Sequence, residues 1–130
     1  MSINLNRVQN LIEKLAFISS APNELTRLAF TEEDEKAHNM IIELCKEYDL
    51  SIRRDSIGNL FIRKAGKEDF LPAVAFGSHI DTVVNAGKFD GPLGSVAGLE
   101  ILLQLCEQNI QTRYPLELII FTCEESSRFN

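Results

Sequence analysis

Two short and very apolar segments constrain the fold of this chain more than any other feature. The first, PAVAFGSH, covers residues 72–79, and the second, LELIIFT, covers residues 116–122. Runs of this kind are typical of strands buried on both faces of a parallel or mixed sheet. Between them, apolar residues recur at helical spacing, and Pro92 suits a first helical turn. A strand, a helix and a second strand in this order predict a βαβ unit.

The residues before this unit predict two further helices and a hairpin. Apolar residues spaced by three and four predict an amphipathic helix between Leu5 and Ile18. The sequence TEED, in which Thr31 is a candidate N-cap, predicts the start of a second helix. Two alternating runs that flank residues 55–59 predict a β-hairpin. We therefore predict an α/β fold with a mixed, mainly parallel sheet flanked by helices.

The composition argues against several classes of partner. The 130-residue chain has a formal net charge of −6 and no block of lysine and arginine, so nucleic acid is not an expected partner. No stretch approaches the roughly 20 apolar residues that span a bilayer, so we expect no membrane association. The three cysteines are widely spaced and form no CxxC pair. This pattern predicts buried, reduced thiols in a cytoplasmic protein.

Polar side chains suited to a metal ion follow both apolar strands. They are His79 and Asp81 after the first strand, Asp90 at the end of the next loop, and Glu124 and Glu125 after the second strand. Because ligands of open α/β sheets bind at the carboxyl ends of the strands, neighbouring strands would bring these groups together. Taken singly, each motif also fits an ordinary turn or a solvated acidic pair.

The spacing within this group predicts separate roles. His79 and Asp81 are two residues apart, so on an extended segment they point the same way and Asp81 can accept the second ring N–H of a metal-binding imidazole. Glu124 and Glu125 are adjacent, so one can face the metal while the other faces the attacking water. His38, the other histidine, is interpreted as a surface residue of the second helix.

Three motifs taken together resemble the M20 metallopeptidase superfamily. They are GSHIDTV at 77–83, GKFDGPLG at 87–94 and EESSRF at 124–129. Within the superfamily they are most similar to the N-carbamoyl-L-amino-acid hydrolase and allantoate amidohydrolase group. The segments TRLAF at 26–30 and RRDSIGNLFIR at 53–63 also resemble the N-terminal region of that group. The resemblance therefore covers nearly the whole chain.

This resemblance implies a two-metal amidohydrolase that uses zinc, manganese or a similar divalent ion. It implies that His79 binds one ion, that Asp90 bridges the two and that Glu125 binds the second. It gives Glu124 the role of general base and Asp81 that of the partner of His79. The implied substrates are N-carbamoyl amino acids, allantoate or ureido acids, cleaved at a C–N bond that is not a peptide bond.

Members of this group are much longer and carry further histidine ligands and a lid and dimerisation domain. Residues 1–130 are therefore interpreted as the N-terminal part of a zinc-peptidase-like catalytic domain. We expect weak metal binding and little or no hydrolysis by this chain alone. Uncovered sheet edges and helix faces predict a homo-oligomer. The alternatives are a catalytically inactive remnant that serves in binding or assembly, and an unrelated α/β protein that binds a small molecule.

Overall fold

The apolar spacing of the sequence forms three helices within residues 2–129, the part of the chain that the computed structural model describes. They are α1 (Leu5–Phe17), α2 (Glu32–Cys45) and α3 (Pro92–Glu107). Asn4 caps α1 by accepting the N–H of Arg7 with its side chain, and Thr31 caps α2 by accepting the N–H of Asp34. The predicted N-cap of α2 and the predicted proline start of α3 are both confirmed.

A mixed sheet of four strands lies against these helices in the described residues. The strands are β1 (Ser51–Arg54), β2 (Leu60–Lys64), β3 (Val74–His79) and β4 (Leu116–Phe121), in the spatial order β1-β2-β4-β3. The β1–β2 hairpin is confirmed, and β3, α3 and β4 form the predicted βαβ unit. One strand pairing is parallel and two are antiparallel, so the parallel part of the sheet is smaller than expected.

The hydrophobic core lies on the face of the sheet that the helices cover. Alternation along the strands points every second side chain to this face. Leu60, Ile62, Leu118 and Ile120 are completely buried there. Helix residues that complete the same cluster are Leu11, Ile12, Leu15, Ala37, Ile41, Cys45, Val96, Leu99, Leu102 and Leu103. This packing fixes β3, β4 and α3 relative to one another, which matters because their ends carry the candidate site.

Strand register brings the two polar clusters to the same edge of the sheet. In the parallel β3–β4 pair, His79 is level with Phe121. The residues that follow each strand, Asp81 and Glu124, therefore leave the sheet side by side. The first turn of α3 returns to this edge, since β3 is connected to α3 by the loop that contains Asp90.

Two predictions about burial are wrong. β3 is not buried on both faces, because it forms the edge of the sheet, where Val74 is 52% exposed. His38 is not on the surface: it is 1% exposed and lies on the face of α2 that also buries Ala37 and Ile41. The spacing of His38 from Ile41 already places it on that apolar face, so burial follows from helical periodicity.

The sequence also led to predictions about the cysteines and about membrane association. All three cysteines are free; Cys45 is buried as predicted, whereas Cys106 and Cys123 are half-buried. Burial raises the pKa of the Cys45 thiol to about 12, so this group stays protonated and unreactive at neutral pH. Within residues 2–129, no helix combines the length and the apolar character needed to cross a membrane.

Candidate metal centre

The imidazole of His79 is buried at the carboxyl end of β3. Its Nδ1 atom lies 3.0 Å from the backbone carbonyl oxygen of Asp81. A carbonyl only accepts hydrogen bonds, so Nδ1 is the donor, and in the neutral ring Nε2 then offers a lone pair. That Nε2 atom lies 3.4 Å from Glu124 Oε2 and 3.9 Å from Asp90 Oδ1. The ring thus presents a ligand atom to two carboxylates.

The first turn of α3 holds this imidazole in place. Gly91, the N-cap of α3, has φ 81° and lies directly against the ring. A Cβ at this position would come within 2.5 Å of the ring atom Cε1 and 2.6 Å of Nδ1. In the same turn, the buried Ser95 hydroxyl donates to the backbone carbonyl oxygen of His79 at 2.9 Å. Only a glycine at position 91 leaves room for the ring.

The carboxylate of Asp81 holds the glutamate pair by its backbone. It accepts the N–H of Glu124 at 3.3 Å and the N–H of Glu125 at 3.1 Å. Its Oδ1 atom lies 3.7 Å from Nδ1 of His79, beyond hydrogen-bond range. In this structure the backbone carbonyl of the same residue takes that hydrogen, and the part of the Asp81 carboxylate as a partner of the His79 ring stays a prediction. Asp81 thus orients the imidazole and the glutamates with different groups.

Three potential ligand atoms converge at this edge of the sheet. In the described residues, atoms of His79, Glu124 and Glu125 all lie within 4.8 Å of one another. Two ligands about 2.0–2.1 Å from one tetrahedral zinc ion are about 3.3 Å apart, which is close to the 3.4 Å between Nε2 and Glu124 Oε2. One imidazole with carboxylates also suits manganese. The donor set therefore fits a divalent cation.

Asp90 lies at the rim of this cluster. Its side chain is 79% exposed, and it is outside the set in which all ligand atoms are mutually close. Nothing in the geometry divides the work between Glu124 and Glu125, since both approach His79. The bridging role of Asp90 and the separate roles of the two glutamates therefore stay predictions.

The electrostatics of the cluster favour a cation. Burial raises the pKa of Glu125, and the nearby carboxylates of Asp90, Glu124 and Asp81 raise it further, while the imidazole of His79 opposes them. Four acidic groups around one imidazole repel one another when all are ionised. A bound divalent ion removes this repulsion, so the cluster is better suited to holding a metal than to standing alone.

A segment before α2 braces the loop that follows β3, and sequence reasoning missed its part in the site. The N–H of Arg27 donates to the Thr82 hydroxyl at 2.8 Å, and the N–H of Thr82 donates to the carbonyl of Arg27 at 2.8 Å. The guanidinium of Arg27 is completely buried and donates to the carbonyl of Ile80 at 2.8 Å. In the sequence, the only signal for this segment is the TRLAF motif, which contains Arg27.

The chain is similar in sequence to several known hydrolases. No protein-family model matches the chain. A hydrolase of Haemophilus influenzae is 99% identical over 130 residues, which are 100% of this chain and 32% of the relative. An N-carbamoyl-L-amino-acid amidohydrolase of Pseudomonas is 40% identical over 131 residues, again 100% of this chain and 32% of the relative. Further relatives include an allantoate amidohydrolase of Bacillus subtilis and a ureidoglycolate hydrolase of Arabidopsis thaliana, both 37% identical.

A solved structure of an amidase has the same fold as this chain. The crystal structure of a hydantoinase/carbamoylase family amidase from Burkholderia ambifaria superimposes with a TM-score of 0.93 at 34% identity. The match covers 98% of this chain and 32% of that protein. This chain is a homologue of the carbamoylase and allantoate amidohydrolases. The resemblance inferred from the motifs is confirmed, and the chain spans about a third of the length of the curated amidohydrolases that it matches.

Proposed function

We propose that this chain supplies part of the catalytic centre of a metal-dependent amidohydrolase that cleaves linear, non-peptide C–N bonds. The observation that carries the proposal is the buried imidazole of His79, whose Nε2 atom lies 3.4 Å from the carboxylate of Glu124 in the turn after the neighbouring strand. The substrates named for the homologues, N-carbamoyl amino acids and allantoate, have bonds of this kind. We extend that substrate class to this protein.

Within this proposal, each acidic group has a distinct task. His79 and Glu125 would hold divalent ions, zinc or manganese, and Asp90 would be a ligand shared by them. When bound, a divalent ion would lower the pKa of a water molecule and polarise the substrate carbonyl. Glu124, which is 53% exposed on its side chain, is free to take a proton from that water and pass it to the leaving nitrogen. Asp81 positions the two glutamates by accepting their backbone N–H groups.

The described residues supply few ligands for two ions, and this sets the expected behaviour of the chain. One imidazole and two carboxylates would be shared between two metals, whereas a catalytic zinc usually takes three protein ligands of its own. We therefore propose that residues 1–130 form part of a catalytic domain whose remaining ligands lie in sequence that corresponds to the other two thirds of the relatives. Weak metal binding and little hydrolysis by this chain alone follow from that.

We also propose a cellular location and an assembly state for the protein. The free cysteines support a cytoplasmic location, where thiols stay reduced. The open edge of β3, with Val74 half exposed, supports self-association through strand pairing. Sedimentation of the chain over a range of concentrations tests the second point, and a strictly monomeric species at every concentration would contradict it.

Calorimetric titration with zinc and with manganese tests the metal site. We expect binding weaker than micromolar in the unaltered chain, loss of binding in Glu125→Gln, and no change in Glu43→Gln, an exposed glutamate of α2. Two sub-micromolar sites would show that the ligand set is already complete, and binding unaffected by Glu125→Gln would place the metal elsewhere.

Hydrolysis tests the reaction. The Haemophilus influenzae relative, nearly identical over these residues, is a suitable full-length protein for this assay. We expect it to release products from N-carbamoyl amino acids or allantoate, to lose activity with a chelator and to regain it with zinc or manganese. If the full-length protein loads metal but cleaves none of these substrates, the proposed substrate class is wrong.

A further inference from the structure

The turn that carries the two glutamates is anchored on both sides. β4 ends at Phe121, and Cys123 then turns the chain with a positive φ of 60° before Glu124. After this turn, the carboxylate of Asp81 accepts the backbone N–H groups of Glu124 and Glu125. Before the turn, the backbone N–H of Thr122 donates to Asn59 Oδ1 at 2.8 Å. A side chain from the hairpin thus fixes the start of the turn.

Asn59 is itself held by a compact network within the β1–β2 turn. Its Nδ2 donates to Asp55 Oδ2 at 2.8 Å. The other oxygen of Asp55 accepts the backbone N–H groups of Ile57, Gly58 and Asn59, at 3.1, 2.9 and 2.9 Å. Chiefly the Asn59 hydrogen bond, and then these backbone donors, hold the pKa of Asp55 below its ordinary value. The carboxylate is therefore ionised at neutral pH and rigidly oriented.

Backbone packing adds to these hydrogen bonds. Gly58 has φ 111°, and a Cβ built on it would lie 3.2 Å from the Thr122 hydroxyl oxygen. Leu60, the first residue of β2, pairs with Ile120 near the end of β4. The hairpin turn therefore continues the β2–β4 contact one step beyond the strands, where the Asn59 side chain replaces the ladder hydrogen bond. The start of the glutamate turn thus rests on the hairpin through both packing and a hydrogen bond.

We propose that Asp55 and Asn59 are positioning residues for the Glu124–Glu125 pair, acting through the backbone of Thr122. This inference rests on the metal site proposed above. Neither residue belongs to the candidate ligand set, and both lie far earlier in the chain than the glutamates. Asp55 orients Asn59, Asn59 fixes Thr122, and Thr122 sets where the turn at Cys123 begins. The glutamate carboxylates then meet His79 only if that starting point is held.

The variant Asn59→Ala tests the inference, with Asn4→Ala as the matched control. Both substitutions remove one side-chain amide that accepts a backbone N–H, but Asn4 caps α1 and Asn59 anchors the turn. The first readout is amide hydrogen exchange at Glu124 and Glu125, which requires no metal. We expect faster exchange at both amides in Asn59→Ala and unchanged exchange in Asn4→Ala. The second readout is zinc affinity, which should fall roughly tenfold in Asn59→Ala and stay within about twofold in Asn4→Ala.

A reciprocal exchange of the two side chains provides a rescue. In the double variant Asp55→Asn with Asn59→Asp, the new amide at position 55 keeps an oxygen for the three backbone donors and donates from its nitrogen. The new carboxylate at position 59 accepts that hydrogen with one oxygen and the Thr122 N–H with the other. The same hydrogen bonds are rebuilt with the donor moved to the other position. We expect the double variant to restore slow exchange at Glu124 and Glu125, whereas Asn59→Ala does not.

The possible outcomes separate this inference from the proposed function. If the Glu124 and Glu125 amides exchange equally slowly in wild type and Asn59→Ala, the positioning role is overturned, whether or not zinc binds. Failure of the reciprocal exchange to restore slow exchange would overturn it as well. If no zinc binds in a manner that depends on Glu125, the metal site fails, yet the exchange comparison still decides whether the hairpin positions the glutamates.

Discussion

Replacing Arg27 with alanine should destabilise this fold by about 3 kcal/mol. The guanidinium is completely buried and donates to three backbone carbonyls, those of Leu15 at 2.5 Å, Ile18 at 2.8 Å and Ile80 at 2.8 Å. It thereby joins the carboxyl end of α1 to the residue after His79. At about 1 kcal/mol for each carbonyl left without this donor, the low end of the usual range, the loss is about 3 kcal/mol.

The low end of the range applies because the site has partial compensation. The carbonyl of Leu15 keeps a second donor, the N–H of Ile18. Removing Arg27 also relieves the cost of burying its charge, which lowers the pKa of the guanidinium to about 10 although Asp34 and Asp81 oppose the shift. A loss of about 3 kcal/mol is still a large part of the roughly 5–15 kcal/mol that stabilises a domain.

Urea unfolding followed by circular dichroism measures this loss. Arg63→Ala is the matched control, because Arg63 is only half-buried and its ion pair with the exposed Asp69 should contribute less than about 1 kcal/mol. Arg27→Met fills part of the space but supplies no donor, so it should remain destabilised relative to wild type. The reasoning is refuted if Arg27→Ala unfolds at the same urea concentration as Arg63→Ala.

Three further predictions concern the site and the helices. Gly91→Ala should weaken zinc binding by displacing the His79 ring, whereas Gly87→Ala, where a Cβ meets nothing within 4 Å, should leave titrations unchanged; equal affinities would contradict this. Burial alone would raise the pKa of Glu100, but hydrogen bonds from Arg7, the Asn4 N–H and Gln104 outweigh it and the pKa is lowered. The stability from Glu100 is therefore present above its unfolded pKa and lost as pH falls through the folded pKa. In Glu100→Gln, the free energy of unfolding measured with urea should therefore fall less steeply as the pH is lowered. The same pH dependence in wild type and variant would count against this. Thr31→Ala removes the cap of α2 and should cost about 1 kcal/mol in the same assay; no measurable loss would show that the cap is dispensable.

Much of the fold follows from local patterns in the sequence. Helical spacing, the Thr31 cap and Pro92 predict the helices, and the runs around residues 55–59 predict the hairpin, because these signals depend on neighbours along the chain. The position of β3 at the sheet edge depends instead on which strands pair. An apolar run has the same composition at an edge or in the centre, so its exposure does not follow from the run itself.

The candidate site was predictable as a set of residues and less so as a set of contacts. Strand ends bring His79 and the two glutamates together, which depends only on β3 and β4 being parallel neighbours. Asp81 uses two different groups: its backbone carbonyl accepts the ring N–H of His79, and its carboxylate accepts backbone N–H groups of the glutamates. This arrangement depends on the local backbone path. The part of Asn59 depends on a contact across the sheet, and no spacing rule predicts that pairing.

X-ray absorption at the zinc edge tests the proposed metal centre most directly. The chain is loaded with less than one equivalent of zinc, and the nearest shell of atoms around the metal is measured in wild type and in His79→Ala. We predict one imidazole nitrogen together with carboxylate oxygens and no sulfur, and loss of the imidazole signal in His79→Ala. A sulfur neighbour from the nearby Cys123, or an imidazole signal that persists without His79, would contradict the assignment of the metal to His79 and Glu125.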